Sequence, residues 1–189
     1  MPKKEKDKLR LEIKKHRDLH DRVLESSILI KNNLYSISDF LKHKTYFIYV
    51  SKDNEVCTHD LISELLKLNK EVSVPSISSK KMSAAKINSF DELELGSFGV
   101  LQPNINKLKK CMPEAIDVVI LPGLLFDRSG RRIGYGKGHY DQFLEHSSKD
   151  CVKIGLCFDF QLKSQIPSEP HDILVDLIVT EKEIVQLIK

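Results

Sequence analysis

The sequence lacks a long uninterrupted hydrophobic run. Its longest apolar stretch, from Val118 to Phe126, is broken by Pro122-Gly123 and falls well short of the roughly 20 residues that span a bilayer. The first residues, MPKKEKDKLRLEIKK, are charged where a secretory signal peptide has an apolar segment. We therefore expect a cytoplasmic protein that does not contact a membrane.

Cysteine and histidine groups with metal-binding spacing are also missing. The four cysteines form no Cys-x-x-Cys motif, which argues against a disulfide framework or a closed zinc site. His16 and His20 lie four residues apart and Cys57 precedes His59 by two, but neither pair has the further ligands that zinc requires. Repeats, low-complexity tracts and linker-like segments are absent too. With 41% hydrophobic and 30% charged residues, residues 1–189 are predicted to form one globular domain.

Positive charge is concentrated near the N-terminus. The first 22 residues hold nine Lys or Arg and five Asp or Glu, whereas the net charge of the whole chain is only +3. Cations recur at helical spacing on one face of a helix predicted over residues 3–25: Lys6, Arg10, Lys14 and Arg17. This stripe is either a solvated face or a set of cations for a nucleic acid or a triphosphate. Because nucleic-acid surfaces usually need a broader basic patch, we expect no nucleic-acid partner.

Strand and helix patterns alternate along the chain. Strands are predicted over 46–51, 71–77, 117–121, 152–158 and 174–179, and the segment 81–95 is expected to hold two short strands. An N-terminal helix pair is predicted to about Leu41, a helix over 139–146, and a closing helix from Glu181. Another helix is predicted over 58–69, with Thr58 as its cap and with three leucines facing inward: Leu61, Leu65 and Leu68. This alternation predicts a single-domain, three-layer α/β/α fold with a mainly parallel sheet.

The segment Gly134-Tyr135-Gly136-Lys137-Gly138 places a glycine at every second position between a predicted strand and a predicted helix. Residues without Cβ let backbone N–H groups turn toward one point, and Lys137 adds a cation, so a phosphate is a natural ligand. The N-terminus of the following helix would add further N–H groups. The spacing matches neither GxxxxGK[ST] nor GxGxxG, so the local pattern is equally compatible with a flexible surface connection.

The longer string over residues 122–144, PGLLFDRSGRRIGYGKGHYDQFL, resembles the 5-formyltetrahydrofolate cyclo-ligase family, also called 5,10-methenyltetrahydrofolate synthetases. That family carries a block close to PGLxFDxxGxRLGxGxGxYDxxL. Here Ile133 stands where leucine is usual, and His139 stands where an aromatic residue is usual. Further matching segments at 6–10, 51–58, 96–103 and 171–180 extend the resemblance over nearly the whole chain.

The resemblance implies an ATP-dependent ligase that converts 5-formyltetrahydrofolate to 5,10-methenyltetrahydrofolate and releases ADP and phosphate. ATP is the implied co-substrate and Mg²⁺ the implied cofactor. ATP would phosphorylate the formyl oxygen, and N10 would then attack the resulting N5-iminium phosphate. We expect a monomer whose partners are these small molecules. Two other interpretations stay open. The protein could be a non-catalytic RNA-binding relative that uses the basic helix, or a phosphosugar-binding protein of similar architecture.

The resemblance also implies roles for individual residues. Lys137, Arg132 and Tyr140 are the expected catalytic residues, and Asp141 and Asp172 the expected magnesium ligands. The expected ATP-binding residues are Lys6, Asp7, Lys8, Leu9, Arg10, Arg132, Ile133, Gly134, Tyr135, Gly136, Lys137, Gly138, His139 and Tyr140. The expected substrate-binding residues are Val50, Glu55, Phe98, Tyr135, Gly136, Lys137, Gly138 and His139.

Taken without the resemblance, several of these residues have plainer roles. Without it, Glu55 would be a solvated loop residue and Phe98 a core residue. Asp141 would be a first-turn residue favoured by the helix dipole, and Asp172 would be a turn residue. A carboxylate at position 55 nevertheless suits the N–H donors of a pterin, and an aromatic ring at position 98 could stack on it. For His139 we hypothesise that its charge makes phosphate binding depend on pH near neutrality.

Overall fold

The computed structural model describes residues 2–78, 81–96, 99–104, 109–170 and 172–187. The helices are α1 (Pro2–Asp18), α2 (Val23–Tyr35), α3 (His59–Lys67) and α4 (His139–Leu144). The strands are β1 (Thr45–Ile48), β2 (Glu71–Ser78), β3 (Lys81–Ile87), β4 (Leu93–Leu95), β5 (Leu101–Pro103), β6 (Lys109–Cys111), β7 (Val118–Leu121), β8 (Leu125–Asp127), β9 (Arg132–Ile133), β10 (Val152–Leu156), β11 (Leu162–Lys163), β12 (Leu177–Val179) and β13 (Ile184–Gln186).

Eight of these strands form a mixed sheet in the order β13-β12-β10-β7-β1-β2-β3-β6. The five central strands, from β12 to β2, run parallel to their neighbours, and the outer strands β13, β3 and β6 pair antiparallel. The predicted α/β fold is confirmed, and its parallel part is the buried centre. Short antiparallel strands at the edges limit how much of the parallel core is open to solvent.

Helices pack on both faces of the sheet because successive strand residues point to opposite sides. On β1, Tyr46 lies in the same buried cluster as Ile30 of α2 and Leu61 of α3. The next residue, Phe47, faces the other way, and its ring centre lies 4.5 Å from that of Phe143 in α4. The predicted three-layer arrangement follows from this alternation.

A third apolar cluster joins α1 to a small sheet of strands β11, β8 and β9. Ile13 of α1 is buried there with Leu125 and Ile133, and Leu9 packs against the same cluster. Leu9 and Ile13 hold one face of α1 against the small sheet. The neighbouring face of the helix is therefore held in one orientation. That face carries the stripe of cations.

The helix predicted over 3–25 is two helices instead. The first ends at Asp18 and the second begins at Val23. Between them the His20 ring packs against Phe158 and Phe160, with centres 4.5 and 5.3 Å apart. We attribute the break to this tertiary contact, which outweighs local helix propensity. His16 and His20 therefore do not share a helix face.

The closing helix predicted from Glu181 is also wrong, because the chain forms strand β13 there. The Thr180 N–H donates to the Glu183 carbonyl at 2.9 Å, and the Thr180 hydroxyl accepts from the Glu183 N–H at 3.0 Å. This tight turn sends Ile184 and Val185 back along β12. Two β-branched residues directly after the turn favour the strand.

In α3, one finer prediction holds in position only and another is wrong. Thr58 occupies the N-cap position as predicted, but its side chain makes no cap hydrogen bond; its buried hydroxyl donates to the Tyr49 carbonyl at 2.7 Å. Leu61 and Leu65 face inward as predicted, whereas Leu68 is 52% exposed because the helix ends at Lys67. Thr58 thus ties the helix to the chain that leaves β1.

Asp117 gives a test of stability against pH. Its Oδ2 accepts hydrogen bonds from the Lys44 and Thr45 N–H groups and the Thr45 hydroxyl at 2.8–2.9 Å. Burial opposes ionisation, but these bonds outweigh it and lower the pKa of Asp117. We expect Asp117→Asn to reduce the free energy of unfolding at pH 7 by about 1–3 kcal/mol. Urea titrations measure this value.

The sign follows from the lowered pKa of Asp117. The stabilisation is complete above the unfolded value of about 3.9 and is lost as pH falls through the lower folded value. The gap between wild type and Asp117→Asn should therefore close only in that acidic range. Asp150→Asn, at an exposed position, is the matched control. A gap that stays constant down to acidic pH would contradict the assignment.

Candidate active site

A cavity of about 790 Å³ lies beyond the carboxyl ends of β1 and β7. Tyr49 and Val50, which follow β1, and Pro122, which follows β7, line it. In sheets with a parallel core, ligands bind at this edge. The face of α1 and the glycine loop, residues 134–138, complete much of the wall.

The glycine loop is fixed against α1. Gly136 and Gly138 have φ angles of 90° and 66°, which side-chain-bearing residues rarely adopt. Arg10 Nε donates to the Gly134 carbonyl at 2.9 Å. A Cβ at Gly136 would lie 3.3 Å from the Arg10 guanidinium carbon. The loop therefore has a defined seat on the helix.

All four cations of the stripe line the cavity. Lys6 and Arg17 are each only 5% exposed, so this part of the stripe is not a solvated face. Lys14 is exposed, and its Nζ lies 5.6 Å from the centre of the Tyr135 ring. A face with this density of positive charge is suited to an anionic ligand.

Lys6 is held by two carboxylates. Its Nζ donates to Glu169 Oε2 at 2.9 Å and to Asp172 Oδ2 at 2.8 Å. Burial disfavours the charged amine, but the bonds to Asp172 and Glu169 outweigh burial and raise the pKa of Lys6. Asp172 Oδ2 also accepts from the Glu169 N–H at 2.7 Å. The predicted ATP-binding lysine and a predicted metal ligand are thus paired with each other.

A second cation–carboxylate pair lies on the glycine-loop side. Arg132 Nη2 donates to Asp141 Oδ1 at 2.8 Å, and the guanidinium carbon lies 5.7 Å from the centre of the Tyr140 ring. Within the described residues, Arg132 Nε is buried without a hydrogen-bond partner. Burial, followed by the Glu55 charge, raises the pKa of Tyr140. Tyr140 therefore remains a protonated phenol over the ordinary pH range.

Glu55 is part of a hydrogen-bonded chain rather than a solvated loop residue. The Tyr135 hydroxyl donates to Glu55 Oε1 at 2.6 Å and accepts from Arg17 Nη1 at 2.9 Å. Glu55 Oε2 accepts from the Lys52 N–H at 3.1 Å. Burial and the Glu55 charge raise the pKa of Tyr135. The glycine loop is thereby joined to the loop that follows β1.

His139 lines the same cavity. In the described part of the chain its Nδ1 is buried without a hydrogen-bond partner. Burial, and then the Lys137 charge, lower the pKa of His139. Its charged form is therefore populated only below the usual value of about 6.5. The hypothesis of pH-dependent phosphate binding stays a prediction, and the pH range in which we expect the effect moves below that value.

The cavity brings most of the predicted site residues together. Asp7, Lys8 and Leu9 lie outside its wall: Asp7 pairs with Arg10 at 2.6 Å, Lys8 is exposed, and Leu9 packs in the α1 cluster. Phe98 falls outside the described residues. The predicted residues that line the cavity are Lys6, Arg10, Val50, Glu55, Arg132, Ile133, Gly134, Tyr135, Gly136, Lys137, Gly138, His139, Tyr140, Asp141 and Asp172.

Other residues that line the cavity were not predicted from the sequence. Glu169 has no motif of its own and is recognisable only as a partner of Lys6. An apolar wall formed by Pro75, Ile77 and Met82 was also missed. Ile77 and Met82 are cross-strand partners of β2 and β3, so correct pairing of the two predicted strands would have revealed it. The lining of the cavity thus contains both cationic and apolar residues.

The described ranges contain no cluster of three or more His, Cys, Asp or Glu side chains able to hold a metal ion. Asp141 and Asp172 each have an oxygen bound to a cation, and the Ile173 N–H lies 3.5 Å from Asp141 Oδ1. Both predicted metal ligands are therefore paired with cations in this structure. Separately, none of the helices in these ranges has the length and apolar composition of a membrane span.

Fold and cavity define an α/β protein with a cation-rich ligand pocket at the carboxyl ends of its parallel strands. The sequence matches the model of the 5-formyltetrahydrofolate cyclo-ligase family over residues 2–181. The chain therefore belongs to that family. The resemblance inferred from residues 122–144 is confirmed, and with it membership in a family of ligases of folate one-carbon metabolism.

Individual relatives agree with this assignment. The 5-formyltetrahydrofolate cyclo-ligase of Mus musculus is 30% identical over 169 residues, covering 84% of this chain and 83% of that protein. The one from Mycoplasma genitalium is 34% identical over 137 residues, covering 72% of each chain. The NMR structure of Aquifex aeolicus 5,10-methenyltetrahydrofolate synthetase is 32% identical, with a TM-score of 0.87 over 97% of this chain and 93% of that chain.

Proposed function

We propose that this protein catalyses the ATP-dependent conversion of 5-formyltetrahydrofolate to 5,10-methenyltetrahydrofolate, with release of ADP and phosphate. The observation that carries the proposal is one continuous cavity whose lining combines two kinds of residues. The glycine loop and the cations suit phosphates, and the Glu55 carboxylate and the apolar residues Pro75 and Ile77 suit a pterin. Membership in the cyclo-ligase family supports the same reaction.

The chemistry requires activation of an unreactive carbonyl. A formamide carbon is weakly electrophilic because N5 donates electron density into the carbonyl. Transfer of the γ-phosphoryl group to the formyl oxygen forms an O–P bond, breaks the bond to ADP and leaves an iminium at N5. N10 then attacks the carbon and loses its proton, and phosphate departs with the oxygen. Such a reaction depends on alignment and on stabilisation of charge.

We assign the phosphates to the glycine loop and the cations. Backbone N–H groups of the glycine loop would bind phosphate oxygens, and Lys137, Arg132, Lys6 and Arg10 would offset their charge. The flanking residues predicted for ATP, including Ile133 and His139, line the same cavity. Of the proposed catalytic residues, Lys137 and Arg132 stabilise the transferring group. The Tyr140 phenol remains protonated, so it would donate a hydrogen bond to a bound substrate.

Magnesium, when bound, neutralises phosphate charge and keeps several of its own waters. The site suits a metal that arrives with the nucleotide, because the described residues form no separate metal cluster. Asp141 and Asp172 would hold it, since carboxylate oxygens are ligands that it prefers. Their present partners, Arg132 and Lys6, are cations that we assign to phosphate. Binding of the nucleotide with its metal would give all four groups a new counter-ion.

We assign the folate to Glu55, Val50 and the apolar lining residues of the cavity. The Glu55 carboxylate would accept the N–H donors of the pterin, and Val50 would contact the ring. The apolar lining residues Ile77 and Met82 suit a flat ring system. Tyr135 of the glycine loop contacts Glu55, which supports a loop that would lie next to both substrates. Phe98, outside the described residues, remains a proposed stacking partner.

A spectroscopic assay tests the function. Purified protein mixed with 5-formyltetrahydrofolate, ATP and Mg²⁺ should produce the absorbance of 5,10-methenyltetrahydrofolate, with one ADP released per molecule formed. Omission of ATP should abolish the absorbance change. Protein that binds both substrates but forms no ADP and no methenyl product would exclude the proposed reaction.

A further inference from the structure

Arg17 is the last cation of the α1 stripe and the one whose environment differs most. Arg17 is 5% exposed, so its guanidinium charge needs hydrogen-bond or charge partners inside the protein. Lys6 meets two carboxylates and Arg10 meets the loop carbonyl and Asp7. Arg17 instead contacts a backbone carbonyl and a phenol.

These contacts join three separate parts of the chain. Arg17 Nε donates to the Asn54 carbonyl at 3.0 Å, and Nη1 donates to the Tyr135 hydroxyl at 2.9 Å. The Tyr135 hydroxyl in turn donates to Glu55 Oε1 at 2.6 Å. One planar guanidinium therefore holds both the backbone beside Glu55 and the side chain that binds Glu55. Lysine has no such rigid fork of donors.

We propose that Arg17 is a positioning residue, which acts through Tyr135 and Asn54 to hold the Glu55 carboxylate at a fixed distance from the glycine loop. The inference rests on the proposed function, because it assigns Glu55 to the folate and the loop to the nucleotide. Arg17 then sets the separation between the formyl oxygen and the γ-phosphate. It need not contact either substrate.

The protonation state of Tyr135 agrees with this role. Burial and the nearby Glu55 carboxylate raise its pKa, so the phenol keeps the proton that it donates to Glu55. Its oxygen is left to accept from Arg17. A geometric error of about 1 Å in a two-substrate site can cost about 100-fold in rate, so a residue that fixes this distance has a large effect without touching the reacting atoms.

The competing explanation is that Arg17 binds phosphate directly, as we propose for Lys6 and Arg10. The two explanations differ in which substrate is affected. A phosphate ligand would mainly weaken ATP binding, and Arg17→Lys would preserve much of that binding because the charge is kept. A positioning residue would mainly affect binding and turnover of the folate, and Arg17→Lys would not restore them.

The test is a double-mutant cycle with Arg17→Gln, Tyr135→Phe and the double variant. Steady-state kinetics give kcat and the two KM values, and calorimetry gives the dissociation constants of 5-formyltetrahydrofolate and ATP. We expect Arg17→Gln to lower kcat/KM for the folate about 100-fold, with ATP affinity changed less than about threefold. The double variant should be little worse than Arg17→Gln alone, because both residues act as one unit.

Matched controls keep the outcomes separate. Lys15→Gln changes an exposed cation on the same helix and should behave as wild type. Thermal melts would reveal whether Arg17→Gln unfolds. In that case Tyr135→Phe, which removes only a hydroxyl, still tests the contact between Arg17 and Tyr135. Additive losses, or a loss confined to ATP affinity, would overturn the positioning role. An inactive wild type would instead refute the proposed function, and folate calorimetry would still test the Arg17 contacts.

Discussion

Lys137→Ala is expected to lower turnover by about 10²- to 10³-fold. The side chain lines the cavity between Gly136 and Gly138, whose positive φ angles shape the loop around it. We propose that its ammonium stabilises charge on the transferring phosphoryl group, so its removal should affect the chemical step most. Initial rates over a range of ATP concentrations, at saturating 5-formyltetrahydrofolate, measure kcat and the KM for ATP.

The control for this experiment is Lys149→Ala, an exposed lysine beyond α4. It changes the net charge equally and should leave kcat unchanged. If Lys137→Ala kept full turnover and the wild-type KM for ATP, the proposed phosphate role of the loop would have no support.

Spacing in the sequence singled out two parts of the site, and the family resemblance assigned a ligand to them. The glycine loop and the α1 stripe are local patterns, because their residues lie close together in the chain and helical or turn geometry fixes their directions. Lys6 and Arg10 are one helical turn apart, and both line the cavity. The central strands were predictable for the same reason, since β7 is four consecutive buried apolar residues.

The partners of these residues could not be predicted, because they lie far away in the sequence. Tyr135 and Glu55 are separated by 80 positions, and Lys6 and Glu169 by 163. Only the order of strands in the sheet brings them together. The family resemblance therefore predicted that Lys6 contacts ATP, but not that two carboxylates hold it.

The wrong helix predictions have the same origin. Local periodicity continues a helix through His20, but the ring packs on Phe158 and the chain turns away. A closing helix was predicted from Glu181, whereas the edge of β12 pairs with Ile184–Gln186 as a strand. In both places a distant contact determines the local structure.

Asp127→Ala is expected to have the largest effect on stability. The residue is fully buried, and its Oδ1 accepts from the Ser129 and Arg131 N–H groups at 2.9 and 3.1 Å. Oδ2 accepts from the Ile166 N–H at 3.0 Å. Alanine would leave these three donors without their acceptor. Since each buried donor left without an acceptor costs about 1–3 kcal/mol, we expect a loss of about 3–5 kcal/mol in the free energy of unfolding.

Urea-induced unfolding followed by circular dichroism measures this loss. Asp127→Asn is the informative second variant, because its amide oxygen can still accept from one side of the network. It should therefore destabilise less than Asp127→Ala. Asp150→Ala, at an exposed position, should change the free energy of unfolding by less than about 0.5 kcal/mol. The Ile166 contact also anchors the segment that carries Glu169. A stable Asp127→Ala protein would show that water or another acceptor replaces the carboxylate.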